Sequence, residues 1–435
     1  SLTRLQRYSL KFISLGNTHL NAKPIPRMIK FALIKERKTP PDRRVVFSPE
    51  KLKETVRKFP EAVFKVESSN IRVFTDDEYR EAGFEVSQDV SDCDVMLGVK
   101  EVPIPALIPN KKYFFFSHTI KKQPYNKDLL RAILKNNIEL YDHEVIVKEN
   151  GHRLIGFGRY AGLVGAYNGF RALGLRDGLF DLPKAENLAD LKSMLAELNK
   201  VSILPIKILL TGSGKVAHGA KEILDHLRIK QVKANDYLNN QYDHLVYCHI
   251  DVLDYNKKKD GKAGSNKEFY IHPERYESNF MRFAGVSDMF IAGHFYGDDA
   301  PIFFTREQAN SPDFKIKLIA DISCDINGPI ASTIRPSTIA YPFYGYNPKT
   351  GSEVDFRQEG AIAVMAVDNL PCELPKDASE GFGEMFLKQV IPAFFNGDKD
   401  GILSRAKMTE NGKLTPRFQY LQDFVDDNPK IDKYV

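Results

Sequence analysis

The stretch Ile206-Lys207-Ile208-Leu209-Leu210-Thr211-Gly212-Ser213-Gly214-Lys215-Val216-Ala217 decides the fold of this chain. Its first half, Ile206–Leu210, is an apolar run of strand length. Its second half is a glycine turn that opens a helical stretch reaching Leu227. Strand, turn and helix in that order are the setting that a dinucleotide-binding fingerprint requires. Gly212 allows the tight turn, Gly214 lets a pyrophosphate approach the backbone, and the small Ala217 lets the helix sit close to the strand. Ser213, Lys215 and Val216 complete the turn, and the helix N-terminus behind them favours an anion. A nucleoside-triphosphate loop is excluded. That motif needs Gly five residues before the Gly214-Lys215 pair and Ser or Thr after it, and the chain has Leu209 and Val216 there.

Downstream, a strand is expected near Val232, and Asp236 falls close to its end, where an acidic residue grips the ribose hydroxyls of NAD. Lys233 beside it favours a 2′-phosphate, so the cofactor reads as NAD or NADP with a lean to NAD. Further strands are expected at Leu245–Ile250, Met289–Ala292, Leu318–Ile322 and Ala361–Val367. The Lys-rich stretch Lys257–Lys262 and the Pro- and Gly-bearing stretch Tyr341–Gly351 read as surface loops. Upstream lies a second alternating block. Ile29–Ile34, Ala62–Val66, Val95–Val99, Tyr113–Phe116 and Ile138–Tyr141 read as strands, with helices at Asp76–Ala82 and Lys127–Asn136. Between the blocks, Gly156, Gly158, Gly162 and Gly165 open a small-residue helix suited to close packing. The fold class is α/β: two Rossmann-like doubly wound domains with an interdomain active-site cleft.

Several ionisable residues stand where apolar runs stop. Val95–Val99 ends in Lys100-Glu101, Tyr113–Phe116 ends in Ser117-His118, and Ile138–Tyr141 leads into Asp142-His143-Glu144. Strand C-termini of open α/β sheets border the ligand crevice, so a lysine and a histidine delivered there can meet over a substrate.

Bulk properties narrow the function classes. The 435 residues exceed one ordinary core. At 43% apolar and 27% charged the chain is a folded globular one. The net charge of +5 is small and scattered, which argues against nucleic acid as a partner. No apolar run approaches the ~18 residues of a membrane span. Cys93, Cys248, Cys324 and Cys372 lie far apart, without C-x-x-C or zinc-ligand spacing, and read as reduced thiols with no metal site. Residues 1–27 carry Arg4, Arg7, Lys11, Lys23 and Arg27 and no acidic residue. That composition resembles a mitochondrial presequence. A dispensable extension ahead of Met28 on a cytoplasmic protein is the favoured alternative.

Lys35-Glu36 with Asp42-Arg43-Arg44-Val45, Gly98-Val99-Lys100-Glu101, and Phe115-Phe116-Ser117-His118-Thr119-Ile120-Lys121 resemble the alanine dehydrogenase, transhydrogenase and saccharopine dehydrogenase superfamily. Phe157–Gly162, His272-Pro273-Glu274-Arg275-Tyr276, Asp321–Asp325, and Asp368-Asn369-Leu370-Pro371 agree in order and spacing. The match is closest to the lysine-ketoglutarate reductase domain and to lysine-forming saccharopine dehydrogenase. It implies residues 28–157 as a substrate domain completed by about 376–435, and 158–375 as the NAD(P) domain. It also implies reversible oxidative deamination of saccharopine to lysine and 2-oxoglutarate. Lys100 and His118 match the acid–base pair, and Glu101 and Glu144 the charge-tuning carboxylates. Arg44 and Arg153 match cationic substrate positions, and Lys35 stands where relatives often have Arg. Arg159 fills a position that is often aromatic or polar. Asp325 matches the acidic position after the strand lining the nicotinamide, and Asp368, Asn369 and Leu370 fall on the cofactor side.

The chemistry suits these residues. Three carboxylates on saccharopine call for several cations, here Arg44, Arg153 and Lys35. The secondary amine must be neutral before hydride leaves the neighbouring carbon, so Lys100 needs a pKa near the working pH. Burial, or crowding by His118 and the substrate-binding cations, would lower it, with Glu101 and Glu144 limiting the shift. His118 is assigned to water activation and Lys100 to proton transfer at the amine and the carbinolamine. An alanine dehydrogenase acting on a smaller oxo acid is the rival enzyme, and a non-catalytic regulatory protein on this fold is the rival of another class. Oligomeric state is left open.

Overall fold

The computed structural model describes residues 27–426, so the N-terminal extension lies outside them except for Arg27. The first sheet is built from β1 (Ile29–Leu33), β2 (Ala62–Glu67), β3 (Glu85–Ser87), β4 (Val95–Leu97), β5 (Lys112–Phe115) and β6 (Glu139–Asp142). Helices α1 (Pro49–Lys58), α2 (Asp76–Glu81) and α3 (Lys127–Lys135) connect them. All pairings are parallel, in the order β3-β2-β1-β4-β5-β6. Such a sheet is covered on both faces, which is why its strands read as apolar runs. The strand order reverses direction between β1 and β4, and the crevice above that pair receives the segments after Leu33 and Leu97.

A 20-residue helix, α4 (Gly158–Asp177), carries the chain to the second unit and ends on Gly178 in the left-handed region. Its glycines allow backbone contact on two sides. A Cβ on Gly162 would stand 2.0 Å from the Val216 carbonyl oxygen, and one on Gly165 would stand 2.4 Å from the Ile322 side chain. After α5 (Leu191–Glu197) come β7 (Lys207–Thr211), α6 (Lys215–His226), β8 (Lys230–Gln231), α7 (Ala234–Asn239), β9 (Val246–Ile250) and α8 (Val252–Tyr255). There follow β10 (Asn256–Lys258), α9 (Asn266–Ile271), β11 (Tyr276–Ser278), β12 (Met289–Ala292), β13 (Leu318–Asp321), β14 (Phe343–Tyr346), β15 (Glu353–Val354) and β16 (Ile362–Met365). The second sheet runs β15-β14-β16-β13-β12-β7-β9-β8, and its direction of growth reverses between β7 and β12. The two mostly parallel sheets with flanking helices are two Rossmann-like doubly wound units facing an interdomain cleft.

Three expectations need correction. The strand beside β7 is β9, because the apolar run Val246–Cys248 is buried whereas Lys230 and Gln231 are exposed and take the edge. Asp236 sits exposed in α7, whose Tyr237 bonds Lys207 at the start of β7 and Ser287 ahead of β12, the end of the sheet opposite the glycine turn. The stretch Tyr341–Gly351 holds a strand, β14, antiparallel to β16. Lys257 and Lys258 belong to β10, which pairs with β11 in a two-stranded ribbon.

The chain then returns to the first sheet. Phe386 and Phe394, on the helices Pro375–Gln389 and Ile391–Phe395, meet Phe114 and Phe31 at 5.8 and 5.1 Å between ring centroids. Among the described residues no helix is long and apolar enough to cross a membrane, and no cluster of three or more His, Cys, Asp or Glu side chains is placed to hold a metal ion.

Candidate active site

Glu36, three residues past β1, reaches the end of β4, where its carboxylate accepts hydrogen bonds from the Val99 N–H at 3.1 Å and the Lys100 N–H at 2.5 Å. Burial pushes this carboxyl up to about 8, against the pull of those bonds. Glu36 thus pins the peptide that carries Lys100 and was missed in the sequence reading. Asp42, also missed, holds Arg44 by a bidentate pair, Nε to Oδ1 at 3.0 Å and Nη2 to Oδ2 at 2.7 Å. The Arg44 side chain is 4% exposed, and its guanidinium lies 4.3 Å from the centre of the Phe157 ring. The Cys372 thiol reaches Asp42 Oδ2 at 3.6 Å.

Lys100 sits within this group. Burial and then the Arg44 charge lower its pKa, while Asp42 opposes them. Of the expected crowding groups the cation Arg44 is the one that acts, and the main opposing carboxylate is Asp42 rather than Glu101 or Glu144. The cause is placement. Glu101 turns to His118, whose Nδ1 donates to its Oε1 at 2.6 Å, and accepts from Lys38 Nζ at 2.8 Å. Burial alone would raise the Glu101 carboxyl, but the bonds from His118 and Lys38 hold it well below the usual range. Glu144 instead pairs with Arg153 at 2.9 Å, and the Arg153 side chain is 58% exposed.

His118 is held at φ +52°, a left-handed conformation uncommon for a residue with a Cβ. The buried Asp142, at the end of β6, accepts from the Ser117 N–H at 3.0 Å and steadies the approach to that residue. Below it, His143 is buried with Nε2 donating to the Gly98 carbonyl at 2.8 Å; burial lowers its pKa to about 4 and keeps it neutral. Lys35 lines a polar shelf with Glu36, Arg37 and Ser68, its backbone N–H bonded to Glu67 at 2.9 Å.

On the second sheet, Gly212 adopts φ +114°, and a Cβ there would lie 2.2 Å from the Gly293 carbonyl oxygen. Only glycine fits. A Cβ on Gly214 would meet nothing within 4 Å, so the turn is open above its second glycine. His249 Nε2 and His218 Nδ1 donate to the Gly212 and Gly214 carbonyls at 2.5 and 2.6 Å. The 12-residue α6 begins at Lys215, with its N-terminus at the turn. A positive-φ glycine, an open cradle and a helix start together fit a pyrophosphate. Val216 packs beneath against α4, and Arg159 is held by Glu222 in a bidentate pair at 2.8 and 2.9 Å, a contact that joins α4 to α6. The acidic residue that follows the strand beside the turn is Asp251, which the apolar run Leu245–Ile250 could have indicated.

After β13, burial and then Asp321 push the Asp325 carboxyl up to about 6, against the pull of Lys121, three residues past His118. That coupling brings the His118 loop of the first unit to the β13 end of the second. Asp368, Asn369 and Leu370 follow β16, and Leu370 is buried against α4. Lys215 Nζ lies 3.5 Å from Met385 Sδ, so the glycine turn faces the helix Pro375–Gln389. The structure thus groups Lys100 with Arg44, His118 with Glu101, and Glu144 with Arg153, and places Asp236 exposed on α7.

Comparison with known proteins follows this geometry. The family model described as alanine dehydrogenase/PNT, N-terminal domain, matches residues 32–164. The chain is 29% identical over 406 residues to the alpha-aminoadipic semialdehyde synthase of Arabidopsis thaliana, covering 84% of this chain but only 38% of that protein. It is 26% identical over 355 residues to the saccharopine dehydrogenase [NAD(+), L-lysine-forming] of Yarrowia lipolytica, covering 78% of this chain and 86% of that one. The solved structure of an L-alanine dehydrogenase superposes with a TM-score of 0.62 at 17% identity over 91% of this chain and all of that one, a likeness of fold. The first unit thus matches the alanine dehydrogenase/PNT N-terminal domain, and the chain as a whole is similar in sequence to an alpha-aminoadipic semialdehyde synthase and to a saccharopine dehydrogenase.

Proposed function

We propose that the chain is an NAD(P)-dependent oxidoreductase that interconverts saccharopine with lysine and 2-oxoglutarate. The observation that carries this reading is a lysine of lowered pKa, Lys100, at the switch point of the first sheet. It stands beside a rigidly held arginine and one residue before the carboxylate that holds His118. The similarity to a Yarrowia lipolytica protein named as a lysine-forming saccharopine dehydrogenase supports it. In this reading residues 28–157 with 376–435 form the substrate unit and residues 158–375 the cofactor unit.

Bound NAD(P) supplies the hydride acceptor or donor. Gly212, Ser213, Gly214, Lys215 and Val216 cradle its pyrophosphate, while Asp325, Asp368, Asn369 and Leu370 border its reactive end. Arg44 offers Nη1, the guanidinium nitrogen that Asp42 leaves unbonded, to a substrate carboxylate. Lys35 and Arg153 are the remaining cations for a tricarboxylate. Lys100, neutral at a lower pH than a free lysine, takes the proton from the secondary amine before hydride leaves the adjacent carbon. His118, oriented through Nδ1 by Glu101, presents Nε2 to the water that attacks the resulting imine. Lys100 then returns a proton to the departing lysine nitrogen.

Initial rates with NADH and NADPH separately test this, on lysine plus 2-oxoglutarate and on pyruvate plus ammonia. Lysine-dependent oxidation of either cofactor is expected. Turnover of pyruvate and ammonia, with none on lysine, would transfer the chain to the alanine dehydrogenase reading.

A further inference from the structure

Asn126 stands in the place of a helix cap and does not act as one. It directly precedes α3, where an asparagine side chain ordinarily accepts the N–H of the second or third helical residue. Here that bond is not formed. The residue is buried, 7% exposed, and its side chain serves another loop. Nδ2 donates to the Ser117 carbonyl at 2.7 Å and to Glu101 Oε1 at 3.3 Å. A carbonyl and an ionised carboxylate only accept, so the amide nitrogen, not its oxygen, must face them.

Both acceptors govern His118. Ser117 is the residue before it, and its N–H is already held by Asp142. With Asn126 on the carbonyl, both backbone polar groups of Ser117 are fixed just ahead of the left-handed turn at His118. Glu101 Oε1 is the oxygen that receives His118 Nδ1, and Lys38 bonds the other oxygen. Asn126 adds a second donor to Oε1 and fixes where that oxygen stands. A carboxylate held at both oxygens cannot swing freely, so the imidazole it orients keeps one tautomer and one direction. A side chain that leaves its own helix uncapped and holds two atoms of a reactive loop breaks a local rule where function is served.

We propose that Asn126 is a positioning residue, which acts through Glu101 and the Ser117 carbonyl to aim His118 Nε2 at the reacting water. The proposal rests on the role given to His118 above. Because Asn126 acts through its neighbours, its loss slows the chemical step and leaves substrate and cofactor binding as they were. A plain tie between α3 and the first sheet would instead affect stability and not the chemistry.

The test is a double-mutant cycle on kcat and KM with lysine, 2-oxoglutarate and the reduced cofactor that wild type uses. Asn126→Ala should lower kcat by ~10-fold or more, with KM values and cofactor affinity as in wild type. In the His118→Gln background the same change should add little, because the group it aims is gone. Asn126→Asp keeps the shape of the side chain and suits a helix cap, but when ionised it offers no donor. It should be slowed at least as far as Asn126→Ala, and it carries the comparison should the alanine variant fail to fold. An equal fall in both backgrounds, an unchanged kcat, or a rise in KM alone overturns the positioning role. A wild type that turns over pyruvate and ammonia but not lysine overturns the saccharopine reading only, and the same cycle on that pair then decides the role of Asn126. A wild type inactive on both pairs overturns the proposed function and the positioning role together.

Discussion

Lys100 gives up its proton more readily than a free lysine because it is buried and faces the Arg44 guanidinium. In the proposed oxidation of saccharopine a neutral lysine is the active form. The rate should therefore rise with pH through an ionisation below the ~10.4 of an ordinary lysine. Arg44→Ala removes the neighbouring positive charge, so this ionisation should move upward. The same change should raise KM for the oxo acid by an amount on the order of 2–5 kcal/mol, with cofactor affinity unchanged. A pH–rate series on the variant checks both, and an unmoved ionisation with an unchanged KM would take Arg44 out of the site. Cofactor choice belongs at this scale too. Asp251→Ser should narrow the margin of NADH over NADPH, while Asp236→Ser should leave it as it was, because α7 packs at the end of the sheet opposite the glycine turn. Lys100, His118 and Glu101 were readable in the sequence because each stands where an apolar strand stops. The Asp42–Arg44 pair, the Glu36 anchor and the Cys372 contact were not, since they depend on which strand ends the sheet brings together.

Elements meet through glycines and one buried carboxylate. Gly162 lies where α4 crosses α6 with backbone against backbone. Gly162→Ala must part the helices, and a loss of ~1–3 kcal/mol in urea unfolding is expected; an unchanged midpoint would mean that the pair can slide without cost. Glu36 joins β1 to β4. Its folded pKa of about 8 lies above the ~4.3 of free glutamate, so the native state holds the extra proton. Its contribution to stability is full below about pH 4 and is lost as pH rises toward 8. Glu373, raised to about 7 by burial, adds to the same decline. Glu36→Gln keeps an acceptor for the two N–H groups and should flatten part of the fall in thermal midpoint between about pH 5 and pH 8. An identical slope in wild type and variant would show that Glu36 is ionised in the fold. Strands were legible wherever both faces are buried, as in β1, β4, β9 and β12. The order of strands within a sheet was not: the exposed Lys230–Gln231 and the buried Val246–Ile250 exchange the places that chain order suggests. Strand β14 hid among prolines and glycines that read as a loop, although it pairs with both β15 and β16.

At the scale of the whole molecule, two sheets each turn a switch point toward one cleft, and the chain crosses between them on α4 and again before the helix Pro375–Gln389. The residues proposed to handle protons sit on one side and the glycine turn on the other, linked across the gap by the Lys121–Asp325 attraction and the Lys215–Met385 contact. This two-unit plan was readable from the alternation of strand and helix in each half of the chain. The separation has a direct consequence, since chemistry and cofactor affinity should be lost independently. The decisive measurement is the initial rate of NAD(P)H oxidation with lysine and 2-oxoglutarate for wild type and Lys100→Met, with cofactor affinity measured in parallel. Wild type should turn over; Lys100→Met should lose ~10²–10⁴ of that rate and bind the cofactor as before. Near-normal turnover in Lys100→Met, or no lysine-dependent rate in wild type with either cofactor, would contradict it.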